Sequence, residues 1–266
     1  MIKYYFSDID GTLIHSDGTI GKRTQQAIQA CGVPFSLVSA RAPFEMAALI
    51  DTLQLSGLQI AYNGAMIFQG SQPIIAYPLA APTLSAILKA YQKHFQRDQV
   101  YCALYGAHTW YAAAPDPSTR EQVAMTGIAP HYRPLTQITE PIFKVMFYCA
   151  DHATLQQLTA YYQVAKIPGY QAARSGDYWL ELTSNQANKA SAIATVLATS
   201  QLSADEVAAF GDSENDLPMF QMVGQAIAMG NAPALIQQHS DVVTSTNDED
   251  GIADFLASCP QEEFNG

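Results

Sequence analysis

Positive charge is scarce in this chain of 266 residues: 13 Lys and Arg stand against 24 Asp and Glu, a formal net charge of −11. A broad nucleic-acid-binding surface needs the opposite sign, so that class is set aside. The same balance does nothing to draw in an anionic substrate, so attraction of a phosphate must be local, from a metal or a few fixed cations. Cysteine is scarce too. Cys31, Cys102, Cys149 and Cys259 lie far apart with no CxxC pair. That argues against a zinc site and for reduced thiols in a cytoplasmic protein. No apolar run reaches the roughly 18 residues of a membrane span. Met1-Ile2-Lys3-Tyr4 passes straight into a strand pattern, without the basic start and long apolar stretch of a signal peptide, and none is expected. Internal repeats and low-complexity tracts are absent as well. What is present is apolar, 48% of the residues, enough for the core of one large domain or two modest ones.

The chain is organised around Tyr4-Tyr5-Phe6-Ser7-Asp8-Ile9-Asp10-Gly11-Thr12-Leu13. Its aromatic first half predicts a buried strand, and its second half places two carboxylates where the strand ends. Residues 19–30 then predict a short helix, stopped by Gly32 and Pro34. A second strand is expected at 35–38, a helix from Pro43 to about residue 54, and a third strand at 58–62 ending at Asn63-Gly64. Residues 65–68 and 74–77 flank Gly70 as a hairpin. Strands alternating with helices predict a parallel sheet covered by helices.

The pattern changes near Pro82. Leu84, Ile87, Leu88, Tyr91 and Phe95 recur at helical spacing. Residues 100–105 and 109–113 predict paired strands, 118–126 a helix, 142–149 a strand, 154–165 a helix and 178–182 a strand. That mixture predicts a separate α+β module. The parallel pattern resumes with a helix at 188–199, Ala190, Ile193, Ala194 and Leu197 on one face. A strand at 207–210 ends at Gly211-Asp212, and a helix follows at 215–222. Strands at 226–229 and 241–244 enclose a helix at 233–238, and a last helix spans 251–257. A frayed tail is expected from residue 261. The expected architecture is one discontinuous αβ domain, residues 1–80 and 185–266, with an insert at 81–184.

Open parallel sheets present ligand sites beyond the carboxyl ends of their strands. Four such ends are polar here: Asp8/Asp10, Ser39, Asn63 and Asp212. Alternation would send Asp8 and Asp10 to the same side, and two close carboxylates need a cation or a shared proton. An isolated DxDG is a common surface turn; after a buried strand it reads as a site. The spacing and closing Glu of a calcium loop are missing. Gly211-Asp212-Ser213-Glu214-Asn215-Asp216 is a second acidic cluster. Acids decorating a helix N-terminus account for Glu214 or Asp216. They account less well for Asp212, which with Asp216 would face one point. Asp8, Asp10, Asp212 and Asp216 together suit a hard divalent cation such as Mg²⁺. Lys189 reads as a solvated helix residue or as a phosphate partner near a helix start. Ser39 caps a turn or holds a phosphate oxygen. Arg41 is an ion-pair anchor or a substrate contact, and Asn63-Gly64 is a tight turn or part of the site.

These segments resemble the haloacid dehalogenase superfamily of phosphohydrolases, in its Cof-type sugar phosphatase subgroup. The resemblance covers essentially the whole chain. It rests on Asp8-Ile9-Asp10-Gly11-Thr12, Ser39, Lys189 and Gly211-Asp212-Ser213-Glu214-Asn215-Asp216, in the family's order, with a cap-sized insert between the second and third. Asn63-Gly64-Ala65 and Asn247-Asp248-Glu249-Asp250-Gly251 also resemble the subgroup. The resemblance implies an α/β fold, a Rossmann-like parallel-sheet core with an inserted, mobile α+β cap of C2 type. Family members commonly have Gly where this chain has Ala40 and Ala190; Ala is costly there only if the backbone needs positive φ.

The resemblance further implies Mg²⁺-dependent hydrolysis of small-molecule phosphomonoesters, sugar phosphates in particular, through an aspartyl-phosphate. Asp8 would be the nucleophile, ionised at neutral pH as an unperturbed aspartate with a pKa of about 3.9 is. Asp10 would protonate the leaving alkoxide and later deprotonate the attacking water. Asp8 and Asp212 side chains and the Asp10 carbonyl would hold the metal, with Asp216 in support. Ser39, Ala40, Arg41, Asn63, Lys189 and Asn215 would bind the phosphoryl group or substrate. The insert would select the leaving group. Its aromatics, Tyr101, Tyr105, Trp110, Tyr111, Tyr178 and Trp179, are expected mostly in its core, and Glu181 is singled out as a substrate contact. Two other readings share the scaffold: a sugar phosphomutase, and a non-catalytic phosphate-ligand sensor, which the presence of nucleophile, acid and lysine disfavours.

Overall fold

A computed structural model describes residues 1–259; the tail expected to fray lies outside them. The chain divides into two compact units, Met1–Ala40, Ala47–Ile74 and Asn188–Gly266 in one, Arg41–Met46 and Ile75–Ala187 in the other.

In the first unit five parallel strands run in the order Val242–Val243, Gln225–Ala228, Val207–Gly211, Tyr4–Ser7, Phe35–Leu37. Phe6, Leu37, Phe210 and Ile227 are fully buried, as befits strands covered on both faces. Tyr5, Phe35 and Phe210, from three adjacent strands, pack with ring centroids 5.8, 5.9 and 6.2 Å apart. From the strand Tyr4–Ser7 the chain moves to Phe35–Leu37 on one side and later returns to Val207–Gly211 on the other. The strand order therefore reverses there, with Ser7 opposite Phe210, and such switch points are where open α/β sheets bind ligands. Val38 and Ile60 form a single parallel bridge beyond the sheet. Gln59–Ala61 pairs antiparallel with Met66–Gln69, and Gln72–Ala76 is the third strand of that small sheet.

Three helices here differ from expectation. The first is Lys22–Ala30 and does not begin at residue 19. Asp17 accepts hydrogen bonds from the Thr19 N–H and hydroxyl, 2.9 and 2.6 Å, and closes a turn there instead. The helix expected at 215–222 is a 3₁₀ turn, Glu214–Asp216, followed by Leu217–Phe220. Helix Lys189–Ser200 buries Lys189, Ala192, Ile193, Val196 and Leu197. The buried face is one step round from the one containing Ala190 and Ala194, and this turns Lys189 inward.

The second unit is a six-stranded sheet in the order Tyr170–Arg174, Trp179–Ser184, Lys144–Cys149, Val100–Tyr105, Trp110–Ala112, His131–Tyr132. Only the last pair is parallel. Val100, Cys102 and Leu104, Val145, Phe147 and Cys149, and Leu180 and Leu182 alternate onto one face. Helices Ala81–His94 and His152–Val164 cover that face with Ile87, Leu88, Leu155 and Leu158. The sequence predicts neither Tyr170–Arg174 nor His131–Tyr132; both are largely exposed edge strands without apolar alternation. Tyr105, Trp110 and Tyr111 are buried, whereas Tyr101, Tyr178 and Trp179 are half-buried. Glu181 is buried and ion-paired with Lys144 at 3.2 Å, and the Lys144 ammonium lies 4.8 Å above the Tyr105 ring.

Candidate active site

Asp8 is the first residue past the central strand. Its N–H still donates to the Phe210 carbonyl, 3.0 Å, so the sheet holds the backbone that carries the carboxyl group. The side chain is 6% exposed. Lys189 reaches it from the start of its helix, where the Asn188 side chain caps the Ser191 N–H. The ammonium lies 2.5 Å from Asp8 Oδ1 and 2.7 Å from Asp216 Oδ1. Asp216 is fully buried. Its other oxygen accepts the N–H groups of Asp212 and Ser213, each at 3.1 Å. Asp216 therefore enters the site through a capping box that folds back on Ser213, not as one face of a regular helix. A Cβ at Gly211 would lie 2.7 Å from Asp216 Cβ, so only glycine lets that loop close. Asp212 is half-buried and accepts the Thr12 hydroxyl at 2.6 Å. Gly11, at φ +81°, leaves no room for a Cβ, which would meet Asp212 Oδ2 at 2.5 Å.

One oxygen each from Asp8, Asp212 and Asp216 lies within 4.8 Å of the others. When ionised, these three carboxylates against one ammonium leave two negative charges. Burial pushes Asp8 up to about 8 against the pull of Lys189. Burial likewise pushes Asp212 up to about 6, with the Thr12 hydrogen bond opposing. The expectation that Asp8 titrates as an ordinary aspartate is therefore corrected: the buried carboxyl has lost the water that would stabilise its anion. Burial alone would lower Lys189, but Asp8 and Asp216 hold it above its usual range, so it stays charged. An all-oxygen donor set with uncompensated negative charge fits a hard divalent cation.

Ser39 is buried; its N–H donates to Ile60 O at 3.0 Å and its carbonyl accepts the Asn63 N–H at 2.8 Å. Tyr62 and Asn63 take φ of +53° and +52° and lead into Gly64, whose missing Cβ would lie 2.2 Å from the Asn188 carbonyl oxygen. The Asn63 turn therefore abuts the cap of the helix that carries Lys189. Asn63 Oδ1 is buried without a hydrogen-bond partner. Asp10 is exposed and bridges to Ile14; its charge adds to the upward shift of Asp212. The strand ends at Ser7, so the loop, and not strand alternation, directs both acids. Ala40 is half-buried, and neither Ala40 nor Ala190 has positive φ, so alanine costs no strain at either place. Arg41, half-buried, falls in the second unit. Asn215 is exposed and its Oδ1 accepts the Ser213 hydroxyl. Sequence reasoning gives no role to Thr12, Asn231 or Asn247. Asn231 lies just past the strand Gln225–Ala228, so the strand-end signal that finds Asp212 applies to it equally.

Carboxylates, a charged lysine and polar strand ends at the switch point of a parallel sheet define an α/β protein able to hold a cation beside an anionic ligand. Residues 5–256 match the haloacid dehalogenase-like hydrolases, and the chain belongs to that family. A Haemophilus influenzae relative is 31% identical over 260 residues, spanning 96% of this chain and 97% of that protein. A 5-amino-6-(5-phospho-D-ribitylamino)uracil phosphatase of Bacillus subtilis is 28% identical, spanning 94% and 95%. The crystal structure of a haloacid dehalogenase-like hydrolase from Bacteroides thetaiotaomicron superposes with a TM-score of 0.88 at 25% identity, covering 97% of this chain and 99% of that one.

Lys189→Met would leave two buried carboxyl groups facing each other without their cation. The expected cost is about 3–5 kcal/mol of unfolding free energy in metal-free buffer, read from urea melts. A cost below about 1 kcal/mol would show that the ammonium does not hold the cluster together.

Proposed function

We propose that this haloacid dehalogenase-type phosphatase hydrolyses small-molecule phosphomonoesters, sugar phosphates in particular, through an aspartyl-phosphate on Asp8 and with Mg²⁺ in the carboxylate cluster. One observation carries the reading: the buried Lys189 ammonium at 2.5 and 2.7 Å from Asp8 and Asp216, at the sheet's switch point. Asp8, Asp212 and the Asp10 carbonyl would hold the ion, with Asp216 behind them. Bound there, Mg²⁺ supplies the charge that keeps Asp8 ionised and offsets its repulsion from the phosphoryl oxygens.

A carboxylate oxygen of Asp8 attacks phosphorus, and an Asp8 O–P bond forms as the ester P–O bond breaks. Asp10 gives its proton to the departing alkoxide oxygen. The Asp10 carboxylate then takes a proton from water, whose oxygen attacks phosphorus. The Asp8–P bond breaks, inorganic phosphate leaves, and both carboxyl groups return to their starting states. Lys189, Ser39 and the backbone at Ala40, with Asn63 and Asn215, bind the phosphoryl group and substrate.

We assign residues 1–80 and 185–266 to the catalytic core and 81–184 to a cap that selects the leaving group. The ribityl phosphate in the name of the Bacillus subtilis relative is a phosphorylated polyol, and that class of alcohol supports a sugar or polyol phosphate here. The four free thiols accord with a cytoplasmic setting.

Asp8→Asn is expected to abolish phosphate release with an unchanged circular dichroism spectrum; retained turnover removes Asp8 as the nucleophile. Chelation should stop the reaction and added Mg²⁺ restore it, whereas a metal-independent rate contradicts the charge argument. Asp10→Asn should lose about 10²–10⁴-fold on esters of poor leaving groups and far less on activated aryl phosphates. Equal losses would count against Asp10 as the acid. A phosphate-release panel of sugar, nucleotide and vitamin phosphates identifies the substrate class.

A further inference from the structure

Beyond Asp10 the chain turns sharply. The N–H groups of Thr12, Leu13 and Ile14 all point at the Ile9 carbonyl, at 3.3, 2.9 and 3.1 Å. Two carbonyls at the edges of this turn, those of Gly11 and Ile14, are received by carboxamides from distant parts of the chain. Asn231 Nδ2 donates to Gly11 O at 2.8 Å, and Asn247 Nδ2 donates to Ile14 O at 2.8 Å. The two asparagines are themselves joined, the Asn247 N–H donating to Asn231 Oδ1 at 3.0 Å. Together they form a continuous bracket from Gly11 through Asn231 and Asn247 to Ile14.

The two members differ in burial. Asn247 is 7% exposed, and its backbone is part of the 3₁₀ turn Asn247–Glu249. Asn231 is exposed, so water would satisfy its carboxamide at little cost. Instead both ends of that carboxamide are committed to backbone groups of two separate segments. Such an arrangement contributes little to stability and a great deal to geometry. The segment it fixes contains Gly11, where a Cβ would collide with Asp212, and ends at Ile14, the bridge partner of Asp10.

We propose that Asn231 and Asn247 are positioning residues: by holding the Gly11 and Ile14 carbonyls they set the direction of Asp10 toward the leaving oxygen. The proposal rests on the reading of Asp10 as the proton donor. A displaced donor slows ester cleavage most where the leaving oxygen most needs a proton, and a misplacement of about 1 Å costs on the order of 10²-fold. An activated phenolate needs that proton least.

The test uses the full chain with Mg²⁺ and two esters of similar size, phenyl phosphate and p-nitrophenyl phosphate. Asn231→Ala removes both hydrogen bonds. Asn231→Asp keeps the acceptor for Asn247 but loses the donor to Gly11. Both variants are expected to lower kcat on phenyl phosphate at least about tenfold more than on p-nitrophenyl phosphate, with KM nearly unchanged. Amide hydrogen exchange in the peptide covering residues 11–14 should quicken in Asn231→Ala. Equal losses on the two esters, no loss, wild-type behaviour of Asn231→Asp, or unchanged exchange would each overturn the proposal. Asp10→Asn, run on the same pair, separates the two levels. If it fails to discriminate between the esters, the proton-donor reading falls and takes this inference with it. If it discriminates and the Asn231 variants do not, only the bracket falls.

Discussion

The contact on which the site depends is the ammonium of Lys189 lodged between two buried carboxyl groups, Asp8 and Asp216. Ionised carboxylates within 4.8 Å of each other repel by about 3 kcal/mol or more at an effective dielectric near 20. An ammonium at hydrogen-bonding distance from two of them outweighs any one such repulsion. It does not neutralise all three. The arrangement is therefore stable enough to fold and still electrically unfinished, which is the condition for recruiting a divalent cation and an anionic substrate to one place. The partners come from separate parts of the chain: Asp8 and Lys189 are 181 residues apart, Lys189 and Asp216 only 27. Sheet register brings them together, since Ser7 lies opposite Phe210 and the two acidic loops leave adjacent strands side by side.

Glycines and caps then set the fine geometry. Gly11 and Gly211 are places where a Cβ would collide with Asp212 and Asp216 respectively. Gly64 lets the Asn63 turn rest on the backbone at Asn188, one residue before Lys189. Each loop is thus pressed against the next: the glycines let the Asp212 and Asp216 side chains and the Asn188 backbone come close, and the Lys189 ammonium ties Asp8 to Asp216.

Much of this was legible in the sequence because strands carry a strong signal. Tyr4-Tyr5-Phe6 and Val207-Ala208-Ala209-Phe210 are short apolar runs that end in acids, and both are strands of the parallel sheet. The burial of Lys189 was harder to see. Its helix is rich in alanine, which is apolar on every face, and a lysine counts as polar in any periodicity argument. The best apolar stripe is then drawn through Ala190 and Ala194, one step away from the stripe that contains Lys189 and Ile193. Asp216 is expected near the start of a helix over 215–222, facing one point with Asp212; the two do meet, but through a capping box, which has no periodicity and is hinted at only by Ser213 three residues earlier. The Asn231–Asn247 bracket joins loops across the fold, and nothing local in either segment encodes such a pairing.

Asp8 and Asp10 show how far two residues can differ when a strand ends between core and solvent. Asp8 is sealed among Lys189, Asp216 and the sheet, and burial pushes its carboxyl upward. Asp10, after the fully buried Ile9, is exposed. A nucleophile gains from a dry setting, because a carboxylate stripped of water reacts without first shedding it. A group that passes protons to an alcohol and takes them from water needs access to both. A single strand end supplies the two environments at once, and the separate tasks proposed for Asp8 and Asp10 follow that divergence between neighbouring carboxyl groups. The turn that follows is anchored from both sides: Ile9, Leu13 and Ile14 are buried in the core, and the Asn231 and Asn247 carboxamides donate to its Gly11 and Ile14 carbonyls, so packing and long-range hydrogen bonds together fix the backbone beside the exposed acid.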